Sequence, residues 1–236
     1  MGLTGNLKRS VRIVRARAPR RHRARVLRSL WGHSELDAPW LCWPAIDWLE
    51  AFMQPGMRVL EFGSGGSTVF FAKRGARVLS IEDDSAWHAE VQRRLGVLGL
   101  DGGRNGLECR VVPPDPEGGS STTVSGYEED SGLNSHRRMY AGKTFRGYAS
   151  SVDDLSDRSF DLALIDGRAR LACTRHALPK IRPGGVLVLD NSERPAYEPI
   201  HALLAGSGAA RTDFTGIGAP SGRTWSTTIY ELPNLA

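Results

Sequence analysis

A glycine-rich turn between a short apolar strand and a helix restricts the fold of this 236-residue chain more than any other feature. The run Arg58–Phe62 leads directly into the turn Gly63-Ser64-Gly65-Gly66-Ser67-Thr68, and a helix is predicted over residues 69–74. Glycines let the backbone approach a ligand closely, and the first turn of a helix offers unpaired N–H groups. The segment therefore predicts a strand–turn–helix unit that binds a nucleotide-like ligand.

Segments typical of strands and helices alternate after this turn. Further strands are predicted over residues 76–82, 107–112, 160–166 and 185–190, and helices over residues 85–98 and 169–181. The run Val186-Leu187-Val188-Leu189 is apolar at every position, which is typical of a strand buried on both faces. The alternation predicts an α/β fold with a doubly wound, mostly parallel sheet. Residues 211–215 and 225–232 predict an antiparallel pair that closes one edge of that sheet.

Basic residues are concentrated at the N-terminus. Residues 1–28 contain ten Lys or Arg and no Asp or Glu, whereas residues 29–236 contain 21 basic and 26 acidic residues. The net charge of +5 therefore comes from the tail, and the remainder is mildly acidic. We predict a basic tail over residues 1–28 and one domain over residues 29–236, and we do not expect nucleic acid as a partner of that domain.

The tail has the spacing of an amphipathic helix. Leu7, Val11, Val14 and Ala18 fall on one helical face with arginines around them, and Pro19 would end the helix. Such a helix can lie on an anionic membrane surface. A solvated, partly disordered arm is nevertheless the first interpretation, and membrane association is the second. Contact with nucleic-acid phosphates and an organellar presequence are further alternatives.

The cysteines and the apolar runs bear on the compartment. Cys42, Cys109 and Cys173 are odd in number and far apart, which excludes a disulfide framework and a Cys-x-x-Cys zinc site. No apolar run reaches the length of a membrane-spanning helix, and no secretory signal is recognisable. We therefore expect a cytoplasmic protein, with peripheral membrane association through the tail as an option.

An acidic residue at the end of the next strand narrows the choice of ligand. Glu82 follows Gly63 by 19 residues, where a carboxylate can accept hydrogen bonds from both hydroxyls of a ribose. A dinucleotide fingerprint requires glycine at the position of Thr68, and the carboxylate of Glu61 would repel a pyrophosphate. The same carboxylate suits a cationic ligand with an amino group. The pattern favours S-adenosylmethionine (SAM) over NAD, and the sequence contains no Walker phosphate loop.

These segments resemble the class I SAM-dependent methyltransferases. VLEFGSGGST (59–68) is similar to the first motif of that family, and SIEDD (80–84), FDLALIDG (160–167) and LPKIRPGG (178–185) follow in the family's order. The resemblance covers residues 39–232 and leaves the tail outside. Shorter segments at 39–46, 166–170, 190–197 and 224–228 resemble a bacterial subgroup of unknown substrate. The family implies a seven-stranded sheet with a C-terminal antiparallel hairpin.

The resemblance also implies roles for individual residues. It places the methionine part of SAM against the end of the first predicted strand and the glycine turn, the ribose on Glu82, and the reactive end near Asp166. The cofactor-binding candidates are Glu61, Gly63, Gly65, Ser67, Glu82 and Asp166. The catalytic candidates are Asp166 and Asp190, each at the carboxyl end of a predicted strand.

A magnesium site is a separate hypothesis. In catechol-type O-methyltransferases, two aspartates and an asparagine at these strand ends hold Mg²⁺, and Asp166, Asp190 and Asn191 occupy the matching positions. Hard oxygen ligands suit that ion. The alternative is that Asp190 and Asn191 only shape the turn after their strand, because both residue types favour turns.

The acceptor substrate is less well determined. We expect a small molecule or a cell-envelope precursor, methylated on oxygen. Arg168 and Arg170 can bind an anionic substrate or form surface ion pairs, and His136 lies in a long variable loop over residues 113–150. The rival functions are an NAD-dependent oxidoreductase and a non-catalytic SAM-fold protein that docks through its basic tail. The sequence does not determine the oligomeric state.

Overall fold

Eight strands and six α-helices are present in the part of the chain that the computed structural model describes, residues 12–15, 38–100, 106–115, 140, 143–219 and 223–234. The strands are β1 (Arg12–Arg15), β2 (Arg58–Phe62), β3 (Arg77–Glu82), β4 (Glu108–Val111), β5 (Phe160–Ile165), β6 (Ile181–Asp190), β7 (Ala210–Ile217) and β8 (Thr224–Glu231). The helices are α1 (Trp43–Phe52), α2 (Gly66–Lys73), α3 (Ser85–Val97), α4 (Arg146–Ser150), α5 (Arg170–Ala177) and α6 (Glu198–Gly206).

All eight strands form one sheet in the order β1-β7-β8-β6-β5-β2-β3-β4. Strands β2 to β6 are parallel to one another, and β8 runs antiparallel to both β6 and β7. The predicted doubly wound α/β sheet with a C-terminal antiparallel hairpin is therefore confirmed. The second strand of the hairpin inserts between β6 and β7, so that it adjoins the parallel part of the sheet.

Strand β1 is an eighth strand that the sequence did not predict. Arg12–Arg15 pair in parallel with Thr212–Thr215 of β7, so the helical prediction is wrong for these four residues. An unpaired sheet edge offers free N–H and C=O groups to any extended segment, and such pairing overrides a helical spacing of apolar residues. The rest of the predicted basic tail lies outside the described residues.

The central parallel strands are buried on both faces, as the run at residues 186–189 predicted. One face of the central strands carries Leu60, Phe62, Ala163, Ile165, Leu187 and Leu189, and the other carries Val59, Leu162, Leu164, Val186 and Val188. Ile46 and Leu49 of α1 cover the second face. Tyr148 of α4 and Leu204 of α6 belong to the core on the first face. None of the described helices combines the length and the apolar character needed to cross a bilayer.

The carboxyl ends of three neighbouring strands are joined by backbone hydrogen bonds. Gly63 N–H donates to the Ile81 carbonyl at 2.8 Å, and Asp166 N–H donates to the Phe62 carbonyl at 3.0 Å. Strand β2 lies between β3 and β5, and in such sheets the crevice at a reversal of strand order is where ligands bind. The glycine turn therefore opens at the expected edge of the sheet.

Candidate active site

A cavity of about 490 Å³ lies over the carboxyl ends of β2, β3, β5 and β6. This volume is within the range of small-molecule sites. It brings together seven of the eight residues predicted for the site: Gly63, Gly65, Ser67, Glu82, Asp166, Asp190 and Asn191. Because of the strand order, the cavity has two ends, one at the glycine turn and Glu82 and the other at Asp190 and Asn191, with Asp166 between them.

The glycine turn is held by a close backbone approach. Gly63 has a φ of +94°, and a Cβ there would lie 2.8 Å from the Cα of Gly167, in the turn after β5. Only glycine satisfies both conditions. Gly65 then caps α2 and donates its N–H to Thr68 Oγ1 at 2.9 Å. The turn thus leaves the start of α2 facing the cavity, where its N–H groups are available to a ligand.

Glu61, the eighth residue, lies beneath the turn and does not line the cavity. Its side chain is fully buried. Oε2 accepts hydrogen bonds from Thr68 Oγ1 at 2.5 Å and Ser80 Oγ at 2.8 Å, while Oε1 has no partner among the described residues. Burial raises the pKa of Glu61 to about 7, against the hydrogen bonds that lower it. Glu61 therefore supports the turn through Thr68.

Both carboxylate oxygens of Glu82 accept hydrogen bonds from groups of the chain itself. Oε2 accepts hydrogen bonds from the N–H and the hydroxyl of Ser64, and Oε1 accepts them from the N–H groups of Asp83 and Asp84, all at 2.9–3.0 Å. A carboxylate has about four acceptor sites, so all are filled. Burial raises the pKa of Glu82. The Ser64 hydroxyl is the one side-chain donor of the four, and a ribose hydroxyl can replace it.

Arg170 fills the space between the three predicted magnesium ligands. Its guanidinium donates hydrogen bonds to Asp166 Oδ1 at 2.7 Å, to Asn191 Oδ1 at 3.4 Å and to the main-chain carbonyl of Asp190. It also bonds the carbonyls of Asp166 and Gly167. Within the described chain, no group of three or more His, Cys, Asp or Glu side chains is arranged to hold a metal ion. These residues do not fit the predicted Mg²⁺ site, because a cation of the chain already occupies it.

Asp166 is consequently a paired carboxylate. Burial raises its pKa, and the positive charge of Arg170, followed by those of Arg168 and Arg194, lowers it. The spacing of four residues did not indicate this pair, because Asp166 lies before α5 and the helical i,i+4 relationship holds only within a helix. The expectation that Arg170 binds a substrate is not supported, since its donors are directed into the ends of β5 and β6.

In contrast to Glu82, only one carboxylate oxygen of Asp190 accepts hydrogen bonds from described residues. Oδ1 accepts hydrogen bonds from Trp225 Nε1 at 2.9 Å and from Thr227 Oγ1 at 2.6 Å. Oδ2 receives no hydrogen bond from any described residue. Burial, and secondly the charge of Asp166, raise the pKa of Asp190 to about 8. Asp190 thus presents a carboxyl oxygen to the cavity with a pKa suited to proton transfer near neutral pH.

Two further arginines, Arg168 and Arg194, line the cavity. Arg168 lies 5.4 Å from the ring centre of Tyr140, and its Nε is 3.4 Å from Asp83 Oδ1, so it faces the Glu82 end of the cavity. Arg194 lines the cavity, in the turn that follows Asp190. The sequence did not predict Arg194, Trp225 or Thr227 as site residues. His136 lies outside the described residues.

Comparisons with known proteins agree with this architecture. A family model described as a methyltransferase domain matches residues 60–192, more than half of the chain and the segment that contains most of the cavity-lining residues. The O-methyltransferase TomG of Streptomyces achromogenes, involved in tomaymycin synthesis and solved with SAM, is 19% identical, with a TM-score of 0.57 over 89% of each chain.

A second solved structure has the same fold. An rRNA methylase from Streptococcus thermophilus is 12% identical, with a TM-score of 0.52 over 80% of this chain and 93% of its own. No curated protein matches the sequence. At these identities the two structures establish the fold, and the family model establishes the family.

Proposed function

The chain belongs to the methyltransferase domain family and is a SAM-dependent enzyme of the class I fold, and from that premise we propose that it methylates a hydroxyl oxygen of a small molecule. The observation that carries the proposal is the open Oδ2 of Asp190. It lies in the same cavity as the glycine turn, at the opposite end from Glu82. A buried carboxyl oxygen in that place can accept the proton that a hydroxyl group must lose.

The Glu82 end of the cavity fits the cofactor. Gly63 and Gly65 line this end of the cavity, and Ser67 lines it from the buried first turn of α2. Glu82 would hold the ribose after displacing the Ser64 hydroxyl, and Glu61 would act indirectly by fixing the turn. When bound, SAM supplies a methyl group on a positively charged sulfur. Asp166, between the two ends, adds negative charge next to that position.

At the other end, the chain positions the acceptor and receives its proton. Trp225 and Thr227 fix Oδ1 of Asp190, so Oδ2 keeps one direction. With SAM bound, the acceptor oxygen would replace the sulfur on the methyl carbon, the carbon–sulfur bond would break, and S-adenosylhomocysteine would leave. Oδ2 would take the hydroxyl proton of the acceptor and release it to solvent. Arg170 holds Asp166 and Asn191 in place and is a positioning residue. Since one cavity of about 490 Å³ must hold both substrates, the methylated part of the acceptor is small.

Two measurements test the proposal. Calorimetric titration of the full chain with S-adenosylhomocysteine should show binding, and titration with NAD⁺ should show none. A screen of hydroxylated and aminated small molecules, including cell-envelope precursors, with isotope-labelled SAM should then give O-methylated products. We expect Asp190→Asn to lower turnover by about 10²- to 10⁴-fold while leaving S-adenosylhomocysteine affinity unchanged.

Each alternative function predicts a different result. Binding of NAD⁺ alone would favour an oxidoreductase, and cofactor binding without turnover on any acceptor would favour a non-catalytic role. Methylation only of nitrogen acceptors, or full turnover by Asp190→Asn, would contradict the proposed oxygen acceptor and the role of Asp190.

A further inference from the structure

We propose that the methyl acceptor carries an anionic group, a carboxylate or a phosphate, and that Arg194 binds this group at the Asp190 end of the cavity. The inference rests on the proposed function, because it describes the acceptor of the same reaction. Arg194 would determine the specificity for the acceptor, in addition to the cofactor end and the proton acceptor proposed above.

Arg194 lines the cavity, and its positive charge lowers the pKa of Asp166, although the two side chains form no direct ion pair. The side chain is half-buried and lines the cavity beside Asn191. Its guanidinium carbon lies 6.0 Å from the centre of the ring of Tyr197. No carboxylate of a described residue forms an ion pair with it. The aromatic ring orients the guanidinium, and its five N–H donors remain available.

The carboxylates that share the cavity are each bonded to another group. The carboxylate of Glu82 accepts four hydrogen bonds from its own loops. Asp83 accepts a hydrogen bond from Tyr140, and Asp166 forms an ion pair with Arg170. Glu193, next to Arg194 in sequence, is directed to the backbone N–H of Ser226 at 2.9 Å.

Asp190, the remaining carboxyl group, is bonded by Trp225 and Thr227. At the Asp190 end of the cavity, Arg194 therefore lies without a direct ion pair to a carboxylate of the described residues.

An anionic acceptor is the ligand that completes this arrangement. A guanidinium matches a carboxylate or a phosphate with two parallel hydrogen bonds, which fix orientation as well as position. Bound there, the acceptor would have its anionic group held by Arg194 and its hydroxyl within the part of the cavity that Asp190 lines. A neutral acceptor would leave a half-buried guanidinium without a partner.

The test uses the full chain saturated with S-adenosylhomocysteine and three probes of similar shape. Benzoate represents a carboxylate, phenyl phosphate represents a phosphate, and benzamide is a neutral counterpart of benzoate. Each is titrated by calorimetry into the wild type, Arg194→Gln and Arg194→Lys. Arg93→Gln serves as the control, because Arg93 lies on the exposed face of α3 and pairs with Glu90.

We expect the wild type and Arg93→Gln to bind at least one of the two anions and to bind benzamide more weakly. Arg194→Gln should weaken anion binding by roughly 10- to 100-fold, the effect of losing a charge-assisted hydrogen bond. Arg194→Lys should recover part of the affinity but not the bidentate geometry. The anion that binds more tightly identifies the class of the group.

The outcomes separate the two proposals. If S-adenosylhomocysteine binds but the wild type binds neither anion, or binds them as well after Arg194→Gln, the anionic acceptor is wrong and the methyltransferase proposal stands. If S-adenosylhomocysteine itself does not bind, the proposed function fails and this inference fails with it. Unchanged S-adenosylhomocysteine affinity in Arg194→Gln shows that the variant is folded.

Discussion

Trp225 donates its indole N–H to Asp190 Oδ1 at 2.9 Å from the strand that runs antiparallel to the end of β6. Thr227, paired directly with Asp190 in the sheet, donates to the same oxygen. Gly218 makes room for the indole, since a Cβ there would lie 1.7 Å from the Trp225 ring. The C-terminal hairpin thus fixes the carboxyl group to which we assign proton transfer.

Replacing Trp225 should raise the pKa of Asp190 further. The indole N–H stabilises the charged carboxylate, so Trp225→Phe should move the pKa upward from about 8 by roughly one unit. The measurement is NMR titration of protein carrying ¹³C-labelled aspartate carboxyls, with Asp190→Asn to assign the signal. Trp48→Phe is the control, because Trp48 stacks on Phe52 away from the cavity. An unchanged titration in Trp225→Phe would show that this hydrogen bond does not set the pKa.

Changes at Ser64 and Glu82 should affect cofactor binding in different ways. Ser64→Ala removes only the hydroxyl that a ribose would replace, so affinity for S-adenosylhomocysteine should stay within about twofold. Glu82→Gln removes the charged acceptor and should weaken it by about 10- to 150-fold, equivalent to roughly 1.5–3 kcal/mol. Calorimetry measures both affinities. If Glu82→Gln bound S-adenosylhomocysteine with the affinity of the wild type, Glu82 would stabilise only its own loops and would not bind the ribose.

Glu61 should make stability depend on pH. Its pKa is about 7 in the folded chain and near 4.5 when exposed, so its contribution is fully present below about 4.5 and is lost as pH rises through about 7. Between about pH 5 and pH 8, the free energy of unfolding of the wild type should fall relative to that of Glu61→Gln by up to about 3 kcal/mol. Urea unfolding at several pH values measures this difference. Parallel curves for the two proteins would contradict it.

Magnesium should not take part in cofactor or acceptor binding. Because the guanidinium of Arg170 already bonds Asp166 and Asn191, Mg²⁺ titrated into the chain saturated with S-adenosylhomocysteine should release no binding heat. A chelator should likewise leave turnover of an identified acceptor unchanged. Saturable Mg²⁺ binding that disappears in Asp166→Asn would refute this expectation.

The local pattern of the sequence determined the parallel core and the cofactor end of the site. Strands that are apolar at every position can be stable only between two layers, and the glycine turn at Gly63 requires a backbone that other residues avoid. Glu82 and Asp166 follow their strands directly, so their positions at one edge of the sheet could be predicted. In the structure both residues line the same cavity.

Only the tertiary structure decided the chemistry of the acceptor end. Asp190 and its partners Trp225 and Thr227 are more than 30 residues apart and meet because β8 inserts beside β6. Arg170 displaces the predicted metal because α5 directs it into the strand ends, and Arg12–Arg15 become a strand because β7 leaves an edge open. The periodicity and spacing of residues in a sequence indicate the secondary structure of the segment that contains them. They do not indicate which distant backbone groups or charges a side chain will contact. Those contacts determine how far the side chain is buried, its pKa and the ligands that it can bind.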